Sequence, residues 1–193
     1  MEEMQFIYCP TCGARDSVTY KDNRHWVCSA CGFNLYNNVA ASVATILQDD
    51  SGNVLFVVRK KEPRKGYLAL PGGFVDPDER TEDAAVRECR EEIGVAPEKV
   101  EFIASYPNTY EYGHVVYKTC DMFFTGTLAE DAEKTFAEKL IPQREEVAGF
   151  ALEAIRTSED IENLPNLDMN LLDQMIHYLM LKLYLLQLTF IKY

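Results

Sequence analysis

Three glutamates in the middle of the chain have the residue type and spacing needed to hold a divalent cation. Glu88, Glu91 and Glu92 stand at positions i, i+3 and i+4, so on a helix their carboxylates share one face. A solvent-exposed charged face is the ordinary interpretation of such a pattern. Carboxylates this close repel one another unless a cation is bound, and hard oxygen ligands suit magnesium or manganese. The spacing therefore favours a Mg²⁺ or Mn²⁺ site.

Four of the six cysteines have the spacing of a zinc site. Two Cys-x-x-Cys-Gly motifs, formed by Cys9 with Cys12 and by Cys28 with Cys31, are separated by 15 residues. Two such pairs complete a tetrahedral shell of thiolates and leave no coordination position open, which favours a structural Zn²⁺. The motifs therefore predict a small zinc ribbon over roughly residues 6–36, which the metal holds folded.

The charge of the chain restricts its partners. The 193 residues carry a net charge of −12, and 47% of them are hydrophobic, enough for a sizeable core. An acidic surface disfavours nucleic acid, and an anionic substrate would need a metal cation as mediator. A nucleic-acid reader and a redox dithiol are the alternative roles of the ribbon. Its residues 1–38 have a net charge of −1, which counts against the first, and two matched cysteine pairs indicate a metal rather than the second.

Neither end of the chain predicts export or a membrane span. Residues 1–8 carry acidic side chains where a secretory signal has basic ones, and no apolar stretch follows them. The apolar region at residues 171–191 is interrupted by charged and polar side chains, which are costly in lipid. We therefore expect a protein of the reducing cytoplasm, whose cysteines bind metal or are buried as thiols.

The glutamates require a helix to bring them together, and the sequence predicts one. The helix is expected to begin at Thr81, to bury an apolar stripe and to end at Gly94, a typical C-cap. The stripe consists of Ala85, Val86, Cys89 and Ile93. Before this helix, the apolar residues 39–47 and 54–58 flank a turn cluster and predict a β-hairpin.

Other segments predict the remaining elements. A short strand is expected at residues 67–70, closed by a turn at Pro71-Gly72-Gly73. After the helix, residues 100–104 are typical of a strand and residues 105–114 of an aromatic-rich loop. Residues 171–183 have an apolar helical pattern, which predicts a helix that covers the sheet or contacts a second copy in a homodimer. The apolar residues 183–191 are expected to be buried, for which an interface between two subunits is one possibility.

The stretch from Gly73 to Val95 resembles the Nudix box, and every fixed position of that motif is matched. Two soft positions differ from most members. Cys89 stands where an aliphatic residue is usual, and a buried thiol behaves as a small hydrophobe. Asp78 stands where glycine is common, and Asp tolerates the left-handed conformation. The matched positions are Gly73, Glu79, Arg87-Glu88, Glu91-Glu92, Gly94 and Val95.

The resemblance covers about residues 40–160 and implies a fold and an activity. The fold would be an α/β/α sandwich around a mixed sheet, with a zinc ribbon at residues 1–38 and the Nudix domain with a C-terminal helix at residues 39–193. The activity would be hydrolysis of the pyrophosphate bond in a nucleoside diphosphate linked to another group, such as ADP-ribose, a nucleotide sugar or NADH. The substrate would thus be a small nucleotide.

The resemblance also implies roles for individual residues. Glu88, Glu91, Glu92 and the backbone carbonyl of Gly73 would hold the catalytic metals, and one carboxylate of the box would act as base. Arg87 would pair with Glu79 and support these carboxylates. Nudix enzymes often take a further Glu from a later loop as base or ligand. Glu146 is the preferred candidate over Glu145, with a solvated loop carboxylate as the alternative.

Substrate-binding residues are less sharply indicated. Tyr106 and Tyr110 could stack on a base or ribose, or pack a loop against the sheet. Arg64, in the basic stretch at residues 60–65, could contact a terminal phosphate or be solvated.

A zinc ribbon before a Nudix box is similar to the NADH pyrophosphatase branch. That branch follows its box with Ser-Gln-Pro-Trp-Pro-Phe-Pro. Here only Ser105 and Pro107 match, and Tyr110 replaces the Phe. ADP-ribose and other nucleoside diphosphate sugars therefore stay open beside NADH. A different class of function, a binding module that senses a nucleotide while its ribbon recruits a partner, would be marked by lost box carboxylates. None is lost.

Overall fold

The computed structural model describes residues 6–49, 51–62, 64–112, 115–127, 140–143 and 145–167. The chain divides into two compact units, one of residues 1–40 and 109–119 and the other of residues 41–108 and 120–193. The first unit contains the cysteine ribbon, and the second contains the box. A domain division at residue 38 stays a prediction.

The ribbon is a three-stranded antiparallel sheet in the order β1-β2-β3. Its strands are Val18–Lys21 (β1), His25–Cys28 (β2) and Asn34–Tyr36 (β3). The turn between β1 and β2 places Asp22 and Asn23 in the left-handed region, with φ values of 56° and 49°, as a tight hairpin requires. All three strands lie within residues 6–36, the range predicted for the ribbon.

Two further sheets hold the other strands. The four-stranded sheet has the order β7-β4-β9-β8 and the three-stranded sheet the order β10-β5-β6. An apolar core that includes Ile46 of β4, Phe56 of β5 and Phe123 of β9 contains residues of both sheets. The strands are Ala40–Leu47 (β4), Val54–Arg59 (β5), Leu68–Ala69 (β6), Gly72–Phe74 (β7), Lys99–Tyr112 (β8), Val115–Thr127 (β9) and Val147–Glu153 (β10).

The predicted hairpin of residues 39–47 and 54–58 is wrong in its pairing. Both segments are strands, but β4 and β5 lie in different sheets, and an isolated bridge between Gln48 and Val54 links their ends. The reason is that β7 and β9 occupy both edges of β4, while β5 pairs with β10 and β6. Pairing with distant segments thus overrides the local hairpin signal.

Two segments predicted as a turn and a loop are strands instead. Gly72 and Gly73 lie in β7 and pair with Ala44 and Val43 of β4. A Cβ at Gly72 would lie 2.0 Å from the carbonyl oxygen of Val43, so the glycine permits the close approach of the two backbones. Residues 105–112 belong to the long strand β8, because they continue its ladder beside β9 despite their Pro and Asn.

The box helix α1, Thr81–Ile93, forms with the predicted limits. It buries Ala84, Ala85, Cys89 and Ile93, so the apolar stripe includes Ala84 rather than Val86. Gly94 takes the left-handed conformation with φ 74°, and its N–H donates to the carbonyl of Arg90 at 3.1 Å. The helix is therefore fixed at its C-terminal end.

A second helix, α2, spans Ser158–Glu162 and was not predicted. The Thr157 side chain accepts from the backbone of Asp160, whose carboxylate accepts from the Thr157 N–H, so the two residues form a capping box. The predicted C-terminal helix at residues 171–183 and the apolar segment at residues 183–191 lie outside the described residues. Neither helix in the described part of the chain is long and apolar enough to cross a membrane.

Candidate metal and active site

Arg87 ties the loop before α1 to the helix. Its Nε and Nη2 atoms donate to the two oxygens of Glu79 at 2.8 and 2.9 Å, and Nη2 also donates to the carbonyl of Phe74 at 3.0 Å. This bidentate bond, aided by the N–H of Asp76, lowers the pKa of Glu79 to about 2. Glu79 is therefore ionised throughout the neutral range and fixes the guanidinium in one orientation.

The loop itself depends on an unusual backbone position. Asp78 has φ 66°, so it takes the left-handed conformation that the sequence predicted for it. The carbonyl of Asp76 accepts from the N–H of Glu79 at 3.2 Å, which closes the turn before the helix. Asp78 thus replaces a glycine without opening the loop.

Glu88 lies directly against the glycine strand β7. Its side chain is 13% exposed, and its Oε1 accepts from Arg87 Nη1 at 2.7 Å. Burial raises the pKa of Glu88, although the Arg87 charge opposes the shift. A Cβ at Gly73 would lie 2.6 Å from Oε1 of Glu88, so only glycine leaves room for this carboxylate.

Replacing Gly73 by Ala should therefore displace the Glu88 carboxylate. We expect Gly73→Ala to lower turnover about 100-fold, because small misplacements of catalytic groups cost that much. Steady-state hydrolysis by the folded variant measures the effect. Gly149→Ala is the matched control, since a Cβ there meets no atom within 4 Å. Equal loss in both variants, or none in Gly73→Ala, would contradict the proposed role of this contact.

Glu92 is the most strongly perturbed carboxylate of the box. Its Oε2 accepts from the N–H of Gly72 at 3.0 Å. Burial, together with the charges of Glu88 and Glu146, raises the pKa of Glu92 to about 8, against the lowering effect of the Gly72 bond and of Arg59. In this group of carboxylates the ionised form is disfavoured, and a bound cation would stabilise it. The oxygen donors therefore fit a hard divalent ion.

Glu91 stands apart from the other two glutamates. Its side chain is 50% exposed and its Oε2 lies 3.4 Å from Arg87 Nη1, which also contacts Glu88. A metal site needs at least three Cys, His, Asp or Glu side chains with their ligand atoms close together. In the described ranges, the four cysteines of the ribbon are the only such group with all ligand atoms within 4.8 Å of one another. The structure thus brings Glu88 and Glu92 to β7, with Arg87 as the countercharge of Glu88, and leaves Glu91 at the rim.

Glu146 lies near these carboxylates. Its charge contributes to the raised pKa of both Glu88 and Glu92. Its side chain is 52% exposed and Oε1 lies 3.3 Å from Nζ of Lys61. The preference for Glu146 over Glu145 as base or ligand stays a prediction.

The sequence interpretation missed Arg59. This residue ends β5, where Leu55 and Val57 belong to the apolar cluster under α1. By strand alternation Arg59 lies on that same face, and its charge lowers the pKa of Glu92. Arg59 follows Leu55 and Val57 at every second position of β5, and this alternation was the signal that could have identified it.

The predicted substrate residues have different surroundings. Tyr106 is half-buried and its ring packs edge-on against Phe123 at 5.9 Å, as in the packing alternative. Tyr110 lies in the part of β8 that belongs to the first unit. Arg64 is exposed in the loop between β5 and β6, with φ 67°. Their roles toward a substrate stay predictions.

The four ribbon cysteines have the geometry of a zinc site. The Sγ atoms of Cys9 and Cys31 are 3.7 Å apart, and those of Cys12 and Cys28 are 3.8 Å apart. A tetrahedral zinc with Zn–S bonds of about 2.3 Å places its sulfurs about 3.8 Å from one another. The distances therefore fit a ZnCys₄ centre.

The backbone around the cysteines supports the same assignment. Gly13 and Gly32 follow the second Cys of each motif with φ 71° and 76°, and their N–H groups donate to the carbonyls of Cys9 and Cys28. The Ser17 hydroxyl, 3.3 Å from Cys28 Sγ, lowers the pKa of that thiol to about 6, whereas the neighbouring Cys12 thiol and burial raise the pKa of Cys31 to about 12. A thiol that ionises readily is prepared to bind metal.

Comparison with known proteins tests the resemblance of the box. The family model of the NUDIX domain matches residues 38–170, more than half of the chain. The chain belongs to the Nudix family. Its curated Nudix relatives include the ADP-ribose pyrophosphatase of Methanocaldococcus jannaschii, which is 40% identical over 86 residues that cover 44% of this chain and 50% of that protein.

A second Nudix relative is the NAD-capped RNA hydrolase NudC of Stutzerimonas stutzeri. It is 27% identical over 156 residues, which cover 77% of this chain and 55% of that protein. The chain spans about half the length of the curated relatives it matches. Among solved structures, the Nudix hydrolase of Nitrosomonas europaea superposes with a TM-score of 0.59 at 19% identity over 90% of both chains. The predicted mixed α/β Nudix fold is confirmed.

Proposed function

We propose that this Nudix protein is a divalent-metal-dependent hydrolase. It cleaves the pyrophosphate bond of a nucleoside diphosphate linked to another group, such as ADP-ribose, a nucleotide sugar or an NADH-like dinucleotide. The observation that carries the proposal is the placement of Glu88 and Glu92 against the Gly72–Gly73 backbone, beside an Arg87 held by Glu79. Relatives named ADP-ribose pyrophosphatase and NAD-capped RNA hydrolase support this substrate class.

The metal-binding set would consist of oxygen ligands from α1 and β7. Glu88, Glu91, Glu92 and the carbonyl of Gly73 would hold Mg²⁺ or Mn²⁺. A bound ion would neutralise charge that develops on the diphosphate and lower the pKa of the attacking water. The pKa of about 8 at Glu92 favours this assignment, because a nearby cation restores the ionised form of the carboxylate.

The other residues of the site would orient the carboxylates or accept a proton. Arg87, locked to Glu79 and to the Phe74 carbonyl, holds the start of the box against β7 and orients Glu88. Glu146 would accept the proton of the attacking water, because it is half exposed and lies beside the box carboxylates. Solvent access lets the proton leave the site.

The ribbon would hold a structural zinc through Cys9, Cys12, Cys28 and Cys31. The proposed partner of the second unit is a small nucleotide, and homodimer formation through residues 171–191 stays a prediction beyond the described residues. The sensing module has no support, because every box carboxylate is present.

A substrate panel with product identification tests the proposed function. We expect magnesium-dependent hydrolysis of ADP-ribose, UDP-glucose, NADH or a dinucleoside polyphosphate. The products should be a nucleoside monophosphate and the phosphorylated form of the group that was linked to it. Chromatography of the products gives the scissile bond. Asp83→Asn, an exposed change on the same helix, controls for charge and should keep full turnover. Thermal stabilisation by nucleotides without any turnover would favour the sensing module instead.

A further inference from the structure

The backbone that carries Glu146 is fixed at both ends. The N–H of Gln143 donates to the carbonyl of Glu92 at 3.1 Å, and the Gln143 carbonyl accepts from the N–H groups of Glu146 and Val147. The carbonyl of Glu146 accepts from the N–H of Lys60 at 2.8 Å. This turn therefore joins the end of α1 to the end of β5.

A β-bulge follows the turn and sets the direction of its residues. Val147 pairs with Arg59, whereas Gly149 pairs with Val58, so Ala148 is an extra residue in β10. Bulges bend a strand and re-aim the side chains beside them. Because of this bulge, Val147 shares the buried face of Phe150 and Leu152 under α1.

The side chain of Glu146 is less constrained than its backbone. It is 52% exposed, has three rotatable bonds and stands near the carboxyl groups of Glu88 and Glu92. Each of these groups repels the Glu146 carboxylate when it is ionised and then favours rotamers that turn toward solvent. Lys61 opposes that movement, because its Nζ lies 3.3 Å from Oε1 of Glu146. An ion pair this exposed adds little to stability, so substitution of Lys61 should leave the fold intact.

We propose that Lys61 is a positioning residue, which acts through Glu146 by holding its carboxylate at the box. The proposal rests on the proposed hydrolytic function and on a working role of Glu146 in it. Lys61 is in the basic stretch at residues 60–65, whose other cations supply matched controls. Lys65 is exposed and carries the same charge in the same loop.

A double-mutant cycle on the full chain tests this proposal with the best substrate of the panel. We expect Glu146→Gln to lower kcat about 100-fold or more. Lys61→Met should lower kcat about tenfold with KM changed less than about twofold, because the group is misplaced while binding is kept. In the Glu146→Gln background, Lys61→Met should cause no further loss. Lys61→Arg should restore most of kcat, and Lys65→Met should leave it unchanged.

The alternatives give different results. A rise in KM alone would mean that Lys61 binds substrate phosphate, and an equal loss in Lys65→Met would mean general attraction of the anionic substrate. An equal effect of Lys61→Met in both backgrounds, or full kcat in Glu146→Gln, would also overturn the proposal for Lys61. Turnover by the wild type would in either case leave the proposed hydrolytic function standing. Absence of wild-type turnover on every substrate would overturn both.

Discussion

Glu92→Gln is expected to lower turnover about 1000-fold, the range seen when a charged or polar group that stabilises a transition state is removed. The amide keeps the shape of the side chain but cannot neutralise a cation. The variant should also bind Mn²⁺ more weakly, which calorimetry can measure in the absence of substrate. Turnover and Mn²⁺ affinity equal to those of the wild type would exclude Glu92 from the metal site.

The same substitution should stabilise the metal-free protein at alkaline pH. The pKa of Glu92 is about 8 in the folded chain, above its ordinary value of 4.5. A carboxyl whose pKa rises on folding contributes stability below pH 4.5 and loses that contribution as the pH rises through 8. The glutamine does not titrate. In EDTA, the melting temperature of Glu92→Gln should therefore rise relative to that of the wild type as the pH increases from 5 to 9. Asp83→Asn should show neither the inactivation nor the pH-dependent gain.

Cys28→Ser is expected to unfold the ribbon, the largest structural effect among our predictions. Zinc binding to small domains is worth about 10 kcal/mol or more and is part of their folding free energy. The wild type should contain one zinc ion per chain and the variant none. The amides of Val18–Lys21 and His25–Cys28 should then lose protection from hydrogen exchange.

Cys120→Ser is the matched control, because Cys120 lies in β9 outside the four-cysteine cluster. It should keep its zinc. Turnover should persist in Cys28→Ser, since the box and Glu146 belong to the second unit. Full zinc content in Cys28→Ser, or zinc loss in Cys120→Ser, would contradict the assignment of the metal ligands.

The parts of the site that local signals determine were predictable from the sequence. The limits of α1 follow from a 3.6-residue period and from Gly94, and both act within one or two helical turns. The convergence of sulfurs follows from the two-residue spacers of the cysteine motifs. These features need no knowledge of the distant chain.

Features that depend on distant partners were not predictable in the same way. The hairpin of β4 and β5 was wrong because β4 is paired at both edges by strands that come later in the chain. Gly72 looked like a turn residue, yet it is needed where β7 approaches Val43. The proposed roles of Arg59 and Lys61 depend on Glu92 and Glu146, which lie far from them in the sequence.

The burial of Cys89 divides the thiols of the molecule by their chemical reactivity. Cys89 is completely buried on α1, and burial raises its pKa to about 12, so it stays protonated and resists oxidants and alkylating reagents. Cys12 and Cys31, two of the proposed zinc ligands, are exposed. We therefore expect oxidants to attack the proposed zinc site before they reach Cys89 on the helix that carries Glu88 and Glu92.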